Sequence, residues 1–331
     1  MLVSLAKDHE QLVCNVKDDS VVLLPKHSAD SLNEDSIISG ALEAPIGTPK
    51  LSEIVCDGEK VAIIVSDITR PVPTRKFLPQ LLAELKKGGV AESDVIIVCA
   101  LGSHRKQTDE ERKYIVGDAV WNSGVTVMDS DVESCRNIGT CANGTPVDVF
   151  IPVLEADRVI CTGNVEYHYF AGYSGGAKAI MPGVSSLRAI RINHSNMLDK
   201  NAATGRLDAN PVRCDIDEIG KFIKIDFIFN VVLDEHKNIA AAFCGDYIKA
   251  HRAACANLDV KYKAAISGQA DVVLVSSGGF PKDINLYQAQ KALDNAKYAV
   301  KDGGTIILCA SAKEGFGSTV FEQWMLGKSP R

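Results

Sequence analysis

The chain has 331 residues, 46% hydrophobic and 24% charged, the balance of a soluble globular protein with room for two domains. A net charge of −6 and a pI near 5.7 leave no basic block, which argues against nucleic acid as a partner. Apolar runs are strand-sized, far short of the roughly 20 residues of a membrane span. Lys7, Asp8, His9 and Glu10 stand where a signal peptide would be apolar, so a cytoplasmic chain away from membranes is expected.

Ten cysteines are scattered without a Cys-x-x-Cys spacing and read as reduced, buried thiols. The first elements are two short apolar runs, Val13–Val16 and Val21–Leu24, read as a strand pair leading into the first α/β unit. That unit opens at the strand Val61–Val65. The loop after it, Ser66-Asp67-Ile68-Thr69-Arg70-Pro71-Val72-Pro73-Thr74, is denied helix by its prolines. Asp67, Thr69 and Arg70 then project from a rigid loop at a strand's C-terminal end. Arg70 can fork onto a carboxylate or phosphate; the plain alternative is an Asp–Arg pair that fixes the loop. Thr74–Lys87 carries a helical stripe of Phe77, Leu78, Leu81, Leu82 and Leu85, stopped by Gly88-Gly89.

The strand Val95–Leu101 runs into Gly102-Ser103-His104-Arg105. A histidine at a strand end is a candidate acid or base, or a hydrogen-bonded structural residue. Helix Asp109–Val116 and strand Val125–Met128 follow. The strand Arg158–Thr162 then meets the longest polar segment, Gly163 to Gly183, which holds five glycines, His168 and Lys178. Gly172 to Lys178 has the length of a phosphate-binding loop, but Ala177 and Ala179 replace its second glycine and its hydroxyl residue, so no NTPase site is expected. Lys178 in a glycine-lined pocket favours a lowered pKa and a covalent role; a solvated lysine at a helix start is the alternative. His194, sixteen residues later, is flanked by Asn193 and Ser195, which could orient a metal-ligating ring.

Helix Pro211–Phe222, strand Phe227–Leu233 and helix Ile248–Ser267 complete this part, with a boundary at Ser267-Gly268-Gln269. Beyond it, strand Val272–Ser276, Gly278-Gly279-Phe280-Pro281, helix Leu286–Lys301 and strand Thr305–Cys309 form another unit. Gln288 and Lys291, spaced i, i+3, share a helix face and make a fair carboxylate-binding pair; an ordinary exposed face is the alternative. The alternation predicts fold class α/β: two α/β domains with largely parallel sheets, the active site in the cleft between them.

In this order, the set resembles the nickel-pincer-dependent lactate racemase family. The resemblance rests on Asp67-x-Thr69-Arg70-Pro71, Gly102-Ser103-His104-Arg105, His168…Lys178…His194 and Gly278-Gly279-Phe280-Pro281…Gln288-x-x-Lys291, over about residues 60–315. It implies a racemase or epimerase of 2-hydroxy acids that moves hydride to and from nickel-pyridinium-3,5-bisthiocarboxylate mononucleotide, with cofactor-synthesis proteins needed to activate it. Lys178 would carry the nucleotide covalently and His194 would ligate nickel. His104 and His168 would be the acid/base pair. Asp67, Ile68, Thr69 and Arg70 would line the cofactor, and Arg70, Gln288 and Lys291 would bind substrate. Residues 1–267 would be the catalytic, cofactor-binding domain, and 268–331 a substrate lid domain, short or truncated beside the family. Two other readings stay open on the residues: a carrier of nickel or nucleotide, and a metal-independent Lys/His lyase or hydrolase.

Overall fold

The computed structural model describes residues 1–24 and 33–327. They fall into two compact units, Met1–Leu24 with Ala264–Arg331, and Pro25–Lys263.

The larger unit is organised by the burial of short apolar strands. Val61 to Val65 are all fully buried, the condition of a parallel strand covered on both faces. Six strands lie side by side in the order Ile239–Gly245, Phe227–Leu233, Arg158–Asn164, Val61–Ser66, Val95–Ala100 and Thr126–Asp129. The last five are mutually parallel, and Ile239–Gly245 is antiparallel at an edge. The fold is therefore mixed α/β around a largely parallel sheet.

Successive side chains feed opposite cores, as a pleated strand requires. Ile63 and Val65 join Phe77, Leu78, Leu81 and Leu85 of the Thr74–Lys87 helix. Ile64 faces the other way, in the cluster with Ile180, Met181, Ile190 and Val212. That second cluster seats the segment carrying Lys178 directly on the sheet. The ten cysteines are unpaired, and burial pushes the Cys99 thiol up to about 12, so it stays an inert core residue.

The smaller unit contains the parallel pair Ala270–Ser276 and Val300–Cys309, with an N-terminal hairpin. That hairpin differs from expectation. Leu2–Lys7 pairs with Glu10–Asn15, while Val21–Leu24 has no regular structure. The two-residue turn explains it: Asp8 adopts φ +53°, a left-handed conformation that aspartate tolerates. The hairpin also groups with the C-terminal segment rather than with residues 33–263. Phe280 N–H donates to Asp8 O at 2.9 Å, and Asp8 N–H donates to the buried Asp283 Oδ2 at 2.7 Å.

Helix ends shift as well. The expected helix Leu286–Lys301 breaks into Leu286–Ala289 and Lys291–Ala296, and Val300 already opens the strand. Pairing of Val300–Cys309 with Ala270–Ser276 outweighs the helical pattern there. Ile248–Ser267 shortens to Lys249–Tyr262, and Pro211–Phe222 tightens to a 3-10 turn after Glu218. No helix among the described residues is long and apolar enough to cross a membrane.

Candidate active site

Three neighbouring parallel strands, Arg158–Asn164, Val61–Ser66 and Val95–Ala100, each release a polar loop at the carboxyl end. This is where ligands gather on such sheets. The loops are tied to one another. Gly102 N–H donates to Gly183 O at 2.9 Å, joining the His104 loop to the end of the Lys178 segment. Leu101 N–H donates to Ser130 Oγ at 3.0 Å, and that hydroxyl donates in turn to Gly183 O at 3.3 Å.

Asp67 is buried and bonds His104: Nδ1 lies 2.8 Å from Asp67 Oδ2. Thr69 Oγ1 also donates to the Asp67 carboxylate, at 3.0 and 3.1 Å. The carboxylate can only accept, so Nδ1 carries the hydrogen and Nε2 keeps a lone pair. Ile68 N–H donates to Gln107 Oε1 at 2.7 Å, and Gln107 is itself held by Asp129 through its backbone N–H and its amide, at 2.8 and 2.9 Å. Gln107 and Asp129 carried no sequence signal, because their role depends on a contact across strands. Arg70 is half-buried, and its guanidinium has no hydrogen-bond or ion-pair partner among the described residues, so the expected alternative, an Asp67–Arg70 pair, does not form. A cavity of about 130 Å³ lies beside His104, lined also by Ser103, Lys106, Ser130 and Leu187.

The second group surrounds Phe170. Its ring meets His168 edge-on at 4.5 Å and His194 at 4.9 Å, and Lys178 Nζ lies 5.8 Å from its centroid. His168 sits on a two-residue strand, Tyr167–His168, paired with Gly172–Tyr173. Its Nδ1 accepts from Ala171 N–H at 3.3 Å, so in the neutral ring the hydrogen is on Nε2. Lys178 lies on the 3-10 turn Gly176–Ala179.

His194 closes the Leu187–Ser195 helix, and its buried Nδ1 has no hydrogen-bond partner among the described residues. Burial first, and the Lys178 charge second, push its pKa down to about 4. A neutral imidazole with an unclaimed nitrogen is what a metal ligand must be. In the chain free of bound groups, imidazole NMR should show His194 titrating near 4 instead of 6.5. Because the folded value lies below the unfolded one, stability is complete above pH 6.5 and drains as pH falls toward 4. A His194→Gln chain should lack that slope; an unchanged slope would contradict the shift.

Among the described residues, one group of three potential metal-ligating side chains lies close together, Cys141, Asp215 and Glu218, and it excludes His194. Asp215 there is already satisfied by Thr145, Asn143 and Asn196, at 2.5, 3.0 and 3.3 Å. It is a structural knot. In the smaller unit, Asn285 caps the Leu286–Ala289 turn, and Lys291 Nζ donates to Gln288 Oε1 at 2.6 Å. The amide and the ammonium therefore lie side by side, across the helix break.

Comparison with known proteins decides the family. Residues 7–205 match the lactate racemase N-terminal domain and residues 266–330 the lactate racemase C-terminal domain. The chain belongs to the lactate racemase family. It is an isomerase. The enzyme is 39% identical to a lactate racemase of Thermoanaerobacterium thermosaccharolyticum over 89% of this chain and 70% of the relative. A lactate racemase of Lactiplantibacillus plantarum is 36% identical over 88% of this chain and 69% of the relative. The lactate racemase apoprotein structure from T. thermosaccharolyticum superimposes with a TM-score of 0.91 at 34% identity, covering 99% of this chain and 79% of that one.

Proposed function

We propose that the enzyme interconverts the enantiomers of a small 2-hydroxy acid, with lactate as the first candidate, using a nickel pincer nucleotide held on Lys178. The observation that carries this reading is the grouping of His168, His194 and Lys178 around the single ring of Phe170. The residues fit such a group: His194 offers an unclaimed nitrogen on a neutral ring, and Lys178 stands beside it. Lys178 would hold the nucleotide and His194 the nickel, with Asp67 to Arg70 along its edge. When bound, the group supplies a hydride acceptor for the C2 hydrogen, so no carbanion next to a carboxylate has to form.

The chain's own residues handle the proton. His104, hydrogen-bonded to Asp67, presents Nε2 as the base that takes the hydroxyl proton. His168, entering the step protonated on both ring nitrogens and so released from Ala171 N–H, gives its Nε2 proton to the keto oxygen as the planar keto acid is reduced on its other face, and is left as the neutral ring with a lone pair on Nε2. For the opposite enantiomer the roles exchange, and both rings reset through solvent. Arg70 is the substrate-binding residue of the larger unit, and Gln288 with Lys291 the substrate-binding pair of the smaller one. Residues 268–331 serve as the substrate domain. Activation in the cell rests on cofactor-synthesis proteins.

The test is to make the enzyme in a host that produces the nucleotide and follow pure D- or L-lactate by chiral chromatography. Both should converge on an equal mixture. A chain shown by mass to carry the nucleotide, yet unable to convert either enantiomer, overturns lactate as the substrate. Lys291→Ala should raise KM for the substrate about 10- to 100-fold, the worth of one charge-assisted hydrogen bond, with a smaller change in kcat. An unchanged KM would remove Lys291 from the substrate site.

A further inference from the structure

The backbone between His168 and Lys178 has only the two-residue strand Gly172–Tyr173 and the turn at Gly176–Ala179 as regular structure, and buried side chains take up several of its polar groups. Asn210 Nδ2 donates to Phe170 O at 2.8 Å. Arg213 donates through Nε to Ala171 O at 3.3 Å, and through Nη2 to Tyr173 O. His251 Nε2–H donates to Ser174 O at 2.8 Å, and Gly176 N–H donates to Asn230 Oδ1 at 2.8 Å. Asn210, Asn230 and His251 are fully buried, and Arg213 is 1% exposed.

Two features set this apart from ordinary packing. Burying a guanidinium is costly, and apolar residues of similar volume commonly serve stability as well or better. Arg213 has Asp217 only at 3.5 Å, and that carboxylate's other oxygen takes Arg252 at 2.5 Å. Arg252 Nη1 in turn donates to His251 Nδ1 at 2.7 Å, which fixes the tautomer that serves Ser174 O. The glycines complete the fit. A Cβ on Gly176, at φ +62°, would lie 3.0 Å from His251 Cγ, so the backbone rests directly on the imidazole. The Tyr167 and Tyr173 hydroxyls add a second tie, both donating to Asp259 Oδ1, at 2.8 and 2.7 Å.

We propose that Arg213 and His251 are positioning residues for the reaction, fixing the 171–174 backbone so that His168 and Lys178 keep a set separation. This rests on the roles proposed above for those two residues. Neither positioning residue touches substrate; each acts through carbonyl oxygens of the loop.

The test compares His251→Leu, which removes the donor, with His251→Gln, which restores one at similar reach. In the cofactor-free chain, hydrogen exchange read by mass spectrometry should quicken at least tenfold in peptides from 167–178 for His251→Leu. The central strands should stay as protected as in the parent. In the loaded enzyme, kcat should fall at least tenfold with KM within about twofold, and His251→Gln should recover most of both effects. Parental exchange in 167–178, or a glutamine variant no better than leucine, overturns the proposal. Should His251→Leu lose protection across the whole sheet, Arg213→Lys and Tyr173→Phe decide the matter by the same two readouts. If the loaded parent does not racemise, the functional reading fails, and the exchange comparison still judges the clamp.

Discussion

Replacing Lys178 with alanine will leave a folded chain that carries no covalent nucleotide and has no racemase activity. The side chain lies on a short 3-10 turn and is partly exposed, so its loss opens no core cavity. The melting temperature should stay close to the parent's, since the sheet and both cores are untouched. Lys178→Arg should fail in the same way, because a guanidinium remains protonated and is no nucleophile at working pH. Intact mass after expression in a nucleotide-producing host reads the adduct directly. An adduct retained on the alanine variant would move the anchor elsewhere. A second signature needs no cofactor: with the Lys178 charge gone, the His194 pKa should rise from about 4, part of the way back toward 6.5, since burial remains.

Asp67→Asn should lower kcat at least a hundredfold while the fold holds. Asparagine keeps the size, but its amide can donate to His104 Nδ1. That reverses the tautomer and places the hydrogen on Nε2, where the base needs a lone pair. The equilibrium constant between enantiomers is one, so kcat/KM must fall by the same factor from either side. Chiral assays started from each pure enantiomer check both statements. Parental kcat in Asp67→Asn would remove the carboxylate from His104's catalytic role. Thr69→Ala, which deletes a hydrogen bond to the same carboxylate, should cost only a few-fold.

Much of the sheet was legible because its strands are short apolar runs bounded by turn residues. Val61, Val95, Arg158 and Phe227 each begin a strand where the hydrophobic pattern placed one. The loops rich in Asp, His, Gly and Lys stood out because nothing in a packed core explains them. What escaped is what depends on distant parts of the chain meeting. The Asp67–His104 pair joins two strand ends, and only the strand order makes them neighbours. Arg213 and His251 sit in helical stretches with no local mark of function, yet they hold the loop between the two most informative motifs. The N-terminal hairpin departs from the hydrophobic pattern because Val21–Leu24 is as apolar as a strand, whereas the pairing is set by the turn at Asp8. The last part of the expected Leu286–Lys301 helix, beyond Ala296, gives way to strand pairing from Val300, which no helical periodicity reports.

The central claim is that the histidines move only the hydroxyl proton, while the C2 hydrogen never enters solvent. The direct test is to racemise one pure lactate enantiomer with the loaded enzyme in deuterated water and read C2 of the product by NMR or mass spectrometry. The account predicts that the product enantiomer keeps its C2 protium. Deuterium at C2 of the product would mean that a side chain removes that hydrogen as a proton, and would contradict the account.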